Sequence, residues 1–164
     1  SDVYKRQVLL IRRAQALMEA AGDDGDFDAL CQQLHRYQAT LRTCFTLENF
    51  DNLIKNGRMR PIVGTLLRSL GIHIIADATA EGTIHVADKA RGVGKTYRAI
   101  TALMKASKDC TDAEVVISHC ENLEGAMALK RQILADLPVK QVDLLSCRGL
   151  TSFYAMEKGL IVGY

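Results

Sequence analysis

The sequence predicts an α/β fold in which helices flank a mixed sheet. Short apolar runs alternate with stretches of helical spacing in the second half: Val115–Ser118, then 122–137, then Val142–Leu145. This alternation is typical of parallel β-α-β units, whose strands are covered on both faces. Earlier in the chain, two strand-like runs at 73–78 and 83–89 are joined by a turn, which predicts an antiparallel hairpin. A domain that contains both kinds of pairing has a mixed sheet.

Two helices are predicted before the first strand. Ser1–Gln7 has no periodicity that joins it to the residues after it, so we treat it as a non-native or truncated start. Helical spacing begins near Val8 and stops at residues 22–25, after which Asp26 can cap a second helix. The apolar faces of these helices are predicted to comprise Leu10, Ala14, Leu17, Met18 and Ala21, then Phe27, Leu30, Cys31, Leu34 and Leu41.

The middle of the chain is predicted to supply a strand, short helices and the hairpin. Thr43–Leu47 is β-branched and aromatic, as strands are, and a short helix over 48–56 closes at Gly57. Pro61 is well placed to start the next helix, which ends at Gly71. The hairpin turn falls at Glu81-Gly82.

Two longer helices come after the hairpin. One begins after residues 90–96, with Tyr97, Ile100, Thr101 and Met104 on one face. The helix over 122–137 is predicted to turn Leu123, Ala126, Met127, Ile133, Leu134 and Leu137 inward.

Composition excludes several classes of protein. With 164 residues, 48% of them hydrophobic, the chain is long enough to bury the core of one domain. A formal net charge of only +2, without a basic block, argues against nucleic acid as a partner. The apolar runs fall short of the ~20 residues that span a bilayer. The five cysteines form no C-x-x-C pair and the four histidines are scattered, so we expect a cytoplasmic protein with no metal site and no cofactor.

The stretch C-R-G-L-T-S-F-Y-A-M-E-K-G, residues 147–159, connects two predicted strands, Gln141–Ser146 and Leu160–Tyr164. A loop this apolar either packs into the core or lines a cavity, because its exposure to water is unfavourable. Apolar side chains such as Leu150 and Phe153, set among hydroxyls, also have the composition of a ligand-binding wall. Both interpretations stay open.

The stretch G-V-G-K-T at residues 92–96 is similar to part of a phosphate-binding loop. The motif requires a glycine five positions before Gly94, where this chain has Lys89, so we predict no nucleotide triphosphate site. An anion site at this helix start, with added charge from Arg91 and Lys95, and a plain solvated turn both stay open.

His119 comes directly after a buried strand, at the end where α/β sheets bind ligands, so it is a candidate to hydrogen-bond a headgroup. The alternative function is a small α/β hydrolase or transferase that uses His119 with Cys120 or Ser118. The chain lacks the nucleophile-elbow motif and a third orienting group, which disfavours this enzyme.

Five stretches occur in an informative order: T-C-F-T-L-E-N-F-D-N-L-I-K-N-G-R-M, P-I-V-G-T-L-L-R-S-L-G-I, K-A-R-G-V-G-K, V-V-I-S-H-C-E and G-L-I-V-G-Y. Together they resemble the DegV family of bacterial fatty-acid-binding proteins, over roughly residues 8–164. The resemblance implies a protein that holds one long-chain fatty acid between two domains. It also implies that the carboxylate is presented to a partner fatty acid kinase, without chemistry of the binding protein's own.

The resemblance further implies that residues 8–164 are the second, lipid-binding domain together with the end of the first. The family's carboxylate-clamping segments, a Thr-Ser and a Ser-Gly-Thr, belong to a first domain that this sequence lacks. A third interpretation, a structural piece with an incomplete pocket, therefore stays open.

Two residues take roles from the resemblance. Arg91 matches an arginine near the headgroup and the kinase-facing surface. Tyr154 stands where many relatives have the histidine of a His-x-Gly-Pro-Gly loop, and a tyrosine hydroxyl can still hydrogen-bond a carboxylate. The predicted headgroup site comprises Arg91, His119, Thr151, Phe153 and Tyr154. The predicted walls of the acyl tunnel, to which Phe153 also contributes, are Leu66, Leu67, Leu70, Leu150 and Met156.

Overall fold

The computed structural model describes residues 3–23, 25–59, 71–78 and 84–164. Two helices come first among these residues, and strands and helices follow. The helices are α1 (Val3–Ala21), α2 (Phe27–Thr40), α3 (Asp51–Lys55), α4 (Val93–Ser107), α5 (Leu123–Asp136) and α6 (Leu150–Ala155). The strands are β1 (Thr43–Leu47), β2 (Ile72–Ala78), β3 (Ile84–Arg91), β4 (Glu114–His119), β5 (Gln141–Ser146) and β6 (Leu160–Gly163).

The strands form one six-stranded sheet in the order β3-β2-β1-β6-β4-β5. β4 and β5 are parallel, and the other neighbouring pairs are antiparallel, which confirms the predicted mixed sheet. β6, the last strand in sequence, lies between β1 and β4. The hairpin half and the β-α-β half of the chain are therefore joined through a central strand.

One face of the sheet is covered by α4 and α5. Alternate residues of each strand point to this face, because successive side chains of a strand point to opposite sides. The fully buried members of this core include Cys44, Ile75, Ile100, Met104, Val115, Ile117, Leu129, Ile133 and Val162. The four residues predicted for the buried face of α4, Tyr97, Ile100, Thr101 and Met104, are all buried.

The opposite face is covered at two places. α3 and α6 pack over one end, against Phe45, Leu47, Ile74, Ala76 and Ile161. α1 and α2 pack over the other end, where Leu9 and Leu41 enclose Val116. Arg12 of α1 also forms an ion pair with Asp143 of β5, which ties this helix to the edge of the sheet.

Several predicted boundaries change. α1 begins at Val3 rather than Val8, so most of the segment set aside as a foreign start is helical. α3 is shorter than the predicted helix over 48–56. The predicted loop at 147–159 contains a helix, α6. The helix predicted from Pro61 and the hairpin turn at residues 81–82 lie outside the described residues.

Some predicted inward faces were wrong. In α5, Leu123, Met127 and Leu134 are 54%, 46% and 47% exposed, whereas Leu129, which was not predicted, is fully buried. Met18 of α1 and Phe27 of α2 were also predicted on the apolar faces, but they are 64% and 74% exposed. A helix that packs on a sheet buries one stripe of about 100°. Where a helix carries apolar residues on both sides of that stripe, spacing alone cannot select the right ones.

The part of the chain that the structure describes contains no helix with both the length and the apolar character needed to cross a membrane.

Candidate functional site

The segment after β5 folds back against the end of β4. The N–H of Lys158 donates to the carbonyl of Cys120 at 2.9 Å, and the N–H of Cys120 donates to the carbonyl of Gly159 at 3.0 Å. Gly159 approaches α6 so closely that a Cβ there would lie 2.3 Å from the carbonyl oxygen of Ala155. Position 159 therefore has to be glycine for the segment to keep this path.

α6 presents an apolar surface that is only partly packed. Ala155 is buried and Tyr154 packs partly against the core beneath, whereas Leu150 and Phe153 are 51% and 46% exposed. The rings of Phe153 and Tyr154 meet edge to face, with centroids 5.1 Å apart. Of the two interpretations of this segment, packing into the core does not fit Leu150 and Phe153, because about half of each side chain is exposed. Together with Met156, which is partly buried, they form the surface that we call the α6 wall.

A positive charge lies beside the α6 wall. The guanidinium carbon of Arg58 is 5.6 Å from the centroid of the Tyr154 ring, within the range of a cation–π contact. Gly57, with a φ of +67°, turns the chain after α3 and so brings Arg58 to this position. The side-chain amide of Asn52 also donates to the carbonyl of Phe153, at 2.6 Å. α6 is thus held against α3 and against the turn that follows it by contacts of two kinds.

Sequence patterns did not single out Arg58. It stood only within G-R-M, the end of a stretch that carried the resemblance. Contact between a cation and a ring far away in sequence depends on tertiary structure, and neither residue type predicts it. The available signal was a glycine that ends a helix directly before an arginine, within the predicted lipid-binding domain.

His119 lies apart from the α6 wall. It is 8% exposed, and its Nδ1 accepts the N–H of Asn122 at 3.3 Å. By the alternation along β4 it points to the α4–α5 face, with Val115 and Ile117. Ser118, its neighbour in the strand, points to the opposite face, and Cys120 packs with the core beneath α6. The pairings required by the alternative enzyme are therefore not formed.

Other predicted residues are separated as well. Arg91 is exposed at the end of β3, an edge strand, and it makes no hydrogen bond or ion pair to α6 among the described residues. Thr151 is partly buried in the first turn of α6. Leu66, Leu67 and Leu70 lie outside the described residues. The structure therefore brings together Leu150, Thr151, Phe153, Tyr154 and Met156, without Arg91 or His119.

A cavity of about 270 Å³ lies on the α4–α5 face, between the first turns of the two helices. None of the predicted site residues that the structure describes lines it. Its charged groups are mixed, since Lys158 pairs with Glu48 at 3.7 Å and Glu124 stands nearby. Burial, followed by the carboxylates of Glu48 and Glu124, raises the pKa of the Tyr97 hydroxyl. The wall of this cavity combines these charged groups with apolar residues, among them Leu47, Val93 and Leu160.

Within the described ranges, no cluster of histidine, cysteine, aspartate and glutamate side chains could hold a metal ion.

Comparison with known proteins places the chain beside one family. The protein-family model with the description "Uncharacterised protein, DegV family" matches residues 4–160 of this chain. A DegV domain-containing protein of Streptococcus gordonii is 31% identical over 151 residues, which are 92% of this chain and 53% of that protein. The chain thus spans about half the length of the curated relatives it matches.

Solved structures give the same fold. A DegV family protein from Eubacterium eligens, loaded with heptadecanoic acid, superposes with a TM-score of 0.87 at 24% identity, over 97% of this chain and 56% of that one. The fatty acid kinase (Fak) B3 protein of Streptococcus pneumoniae, loaded with linoleic acid, superposes with a TM-score of 0.84 at 30% identity. That match covers 95% of this chain and 54% of the other.

Proposed function

We propose that this chain, which belongs to the DegV family, is a lipid-binding protein. In this proposal it holds a long-chain fatty acid and presents its carboxylate to a partner fatty acid kinase. Residues 8–164 correspond in this proposal to the second, lipid-binding domain of such proteins. The observation that carries it is the exposed apolar α6 wall, which lies beside a guanidinium group. An amphiphile with an anionic head and an apolar tail matches that combination.

The α6 wall favours an acyl chain on physical grounds. Each CH₂ removed from water contributes about 0.8 kcal/mol, so a long chain gains from even a partly enclosing apolar surface. Leu150 and Phe153 are half exposed and would be covered by the bound acyl chain. Covering them removes two large apolar groups from water along with the ligand.

The proposal assigns no reaction to this chain. The fatty acid is the ligand and no further cofactor is required, while phosphorylation is the task of the kinase. We propose the cytoplasm as the location, where such a kinase has access to ATP and where five reduced cysteines are usual.

Lipid extraction of the purified, folded protein, followed by mass spectrometry, tests this function. We expect a long-chain fatty acid in stoichiometric amount, or its uptake when the delipidated protein is incubated with linoleic acid. Circular dichroism of the same sample establishes that the protein is folded. A folded protein that neither carries nor takes up a fatty acid would contradict the proposal.

A further inference from the structure

We propose that Cys120 and Cys147 form a site of reversible oxidation, at which a low-molecular-weight disulfide such as oxidised glutathione converts the two thiols into one intramolecular disulfide. The bridge fastens the segment 147–159, which contains α6, to the end of β4. This inference stands apart from the proposed function, because it concerns the chemistry of two thiols and the segment between β5 and β6.

Strand register brings the two cysteines side by side. β4 and β5 are parallel, and their last paired residues, His119 and Ser146, directly precede the two cysteines. The N–H of Cys147 donates to the carbonyl of His119 at 2.7 Å, so the ladder continues past the ends of both strands. Neighbouring strands lie about 4.8 Å apart, and a disulfide joins Cα atoms that are about 4.4–6.8 Å apart. The backbone therefore holds Cys120 and Cys147 at a separation that a disulfide can span.

Both side chains lie on the same face of the sheet. Cys120 and Cys147 pack partly against the core beneath α6. The alternation along β4 gives Cys120 the same direction as Ser118, which points to that face. Both cysteines are thiols, and both are partly exposed. An oxidant in solution can therefore reach this pair.

The other cysteines each lack one of these properties. Cys44 and Cys110 share the core under α4 and α5, but they are only 0% and 4% exposed. Burial raises the pKa of both thiols, and the thiolate is the form that attacks a disulfide. Cys31 lies on α2, where no other cysteine occurs. The reaction is therefore expected to select one pair among the five cysteines.

Thiol–disulfide exchange supplies a balanced reaction. The thiolate of one cysteine attacks a sulfur of oxidised glutathione, whose S–S bond breaks, and one glutathione leaves as a thiolate that takes up the released proton. The thiolate of the second cysteine then attacks the protein sulfur of this mixed disulfide, forms the Cys120–Cys147 bond and expels the second glutathione. Two protein thiols are oxidised, and one glutathione disulfide is reduced to two thiols. In the cytoplasm, the location that we propose, disulfides are usually transient and redox-sensing.

The bridge acts on α6 because Cys120 already holds the other end of the same segment. The N–H of Lys158 donates to the carbonyl of Cys120, and the N–H of Cys120 donates to the carbonyl of Gly159. Cys147 is the first residue of the segment. Oxidation therefore attaches the start of the segment to the residue that binds its end, which restricts local opening of α6.

The experiment incubates the folded protein with oxidised glutathione, blocks the remaining thiols by alkylation, and maps the peptides by mass spectrometry without reduction. We expect one main bridged product, which joins Cys120 to Cys147, and a fall in alkylated thiols from five to three. Dithiothreitol should restore all five. Native-state hydrogen exchange of residues 150–155 should slow by roughly 10-fold in the oxidised protein, because exchange reports the free energy of local opening.

Cys120→Ser and Cys147→Ser separate the two steps of the reaction. Each variant keeps one thiol of the pair, so the first exchange can occur and the second cannot. Each should therefore retain glutathione as a mixed disulfide on the cysteine that is left. Cys31→Ser is the matched control, and it should form the bridge as the wild type does.

Four results would contradict the proposal. A wild-type protein that keeps a mixed disulfide on Cys120 or Cys147 without forming the bridge overturns it, and so does one whose thiols all stay unmodified. A mixture of bridges like that of the urea-unfolded protein also overturns it, because the fold would then not select the pair. A bridge that forms while hydrogen exchange in α6 is unchanged overturns the mechanical role that we assign to it.

Discussion

Phe153 is the residue whose exposure most directly reflects the proposed function. Its side chain is 46% exposed and contacts the Tyr154 ring at its edge. An aspartate at this position removes an apolar contact and places a charge where the acyl chain would lie, which is unfavourable without a partner. We expect Phe153→Asp to abolish fatty acid uptake while the far-ultraviolet circular dichroism stays that of the wild type.

Leu134→Asp is a matched control for this substitution. Leu134 is 47% exposed, close to the value for Phe153, but it lies on α5 at the opposite face of the sheet. Uptake of linoleic acid, measured by extraction and mass spectrometry, should be normal in this variant. If Phe153→Asp took up as much linoleic acid as Leu134→Asp, Phe153 would not be part of the acyl site.

Asp136 gives a prediction about pH. The Thr101 hydroxyl donates to its carboxylate at 2.7 Å and the Gln132 amide at 2.8 Å, and these bonds hold the pKa of Asp136 below its usual range. A carboxyl group whose pKa is lower in the folded than in the unfolded protein contributes stability above the unfolded pKa. That contribution is lost as the pH falls through the folded pKa.

Removing the Thr101 hydroxyl tests this coupling. In Thr101→Val, carbon-13 NMR of the side-chain carboxyl should show the pKa of Asp136 moved up, towards the ordinary value. The free energy of unfolding of the wild type should then fall more steeply below about pH 4 than that of the variant. A pKa of Asp136 that is the same in both proteins would mean that the Thr101 bond does not form in solution.

At the scale of single residues, the sequence singled out part of the proposed site. Phe153 and Leu150 were selected because apolar side chains in a connection between strands require an explanation, and Tyr154 was selected through the family resemblance. The contact of Arg58 with Tyr154 could not be predicted, because the two residues lie in distant parts of the chain. Arg91 and His119 were selected for their chemistry, and that criterion contains no information about which face of the sheet a side chain occupies.

At the scale of elements, α6 depends on the close approach of Gly159. A Cβ at Gly159 would lie 2.3 Å from the carbonyl oxygen of Ala155, which is backbone and cannot rotate away. Gly159→Ala should therefore displace α6 and lower the free energy of unfolding by about 1–3 kcal/mol, as overpacking does. Urea titration followed by circular dichroism measures the change.

Gly94→Ala is the control for the glycine at 159. Gly94 lies in the first turn of α4, and a Cβ there would meet nothing within 4 Å. Alanine is the better helix former, so this variant should be as stable as the wild type or more stable, by up to about 1 kcal/mol. Equal stability of the two alanine variants would show that α6 does not need glycine at 159.

Element types were predicted better than element faces. β1 has the bounds that its composition indicated, β5 has the longer of its two predicted spans, Gln141–Ser146, and Asp26 caps α2 through the backbone N–H groups of Asp28 and Ala29. These features depend on short segments alone. The buried stripe of α5 depends instead on where the helix lies against the sheet, so Leu129 was missed and Met127 was wrongly placed in the core.

At the scale of the whole molecule, the fold class could be predicted from the alternation of segments, whereas the strand order could not. β6 lies between β1 and β4, and its register pairs Leu160 with Thr46 on one side and with His119 on the other. Such pairings join residues far apart in the chain, and no local pattern specifies them. The consequence is a sheet with one continuous core under α4 and α5 and a separate core beneath α3 and α6.

Because these cores lie on opposite faces, stability and ligand binding should be separable. Ile133 of α5 is fully buried, so Ile133→Ala should lower the free energy of unfolding by about 2–5 kcal/mol. The α6 wall is untouched in this variant, and the effects of distant, independent sites usually add.

Linoleic acid at one hundred times its dissociation constant should stabilise the wild type and Ile133→Ala by the same ~2.7 kcal/mol. Urea titrations with and without the lipid give the two increments. In Phe153→Asp the increment should vanish although the stability without lipid is nearly that of the wild type. If Ile133→Ala lost the increment and Phe153→Asp kept it, the acyl chain would bind on the α4–α5 face, and the α6 wall would have another purpose.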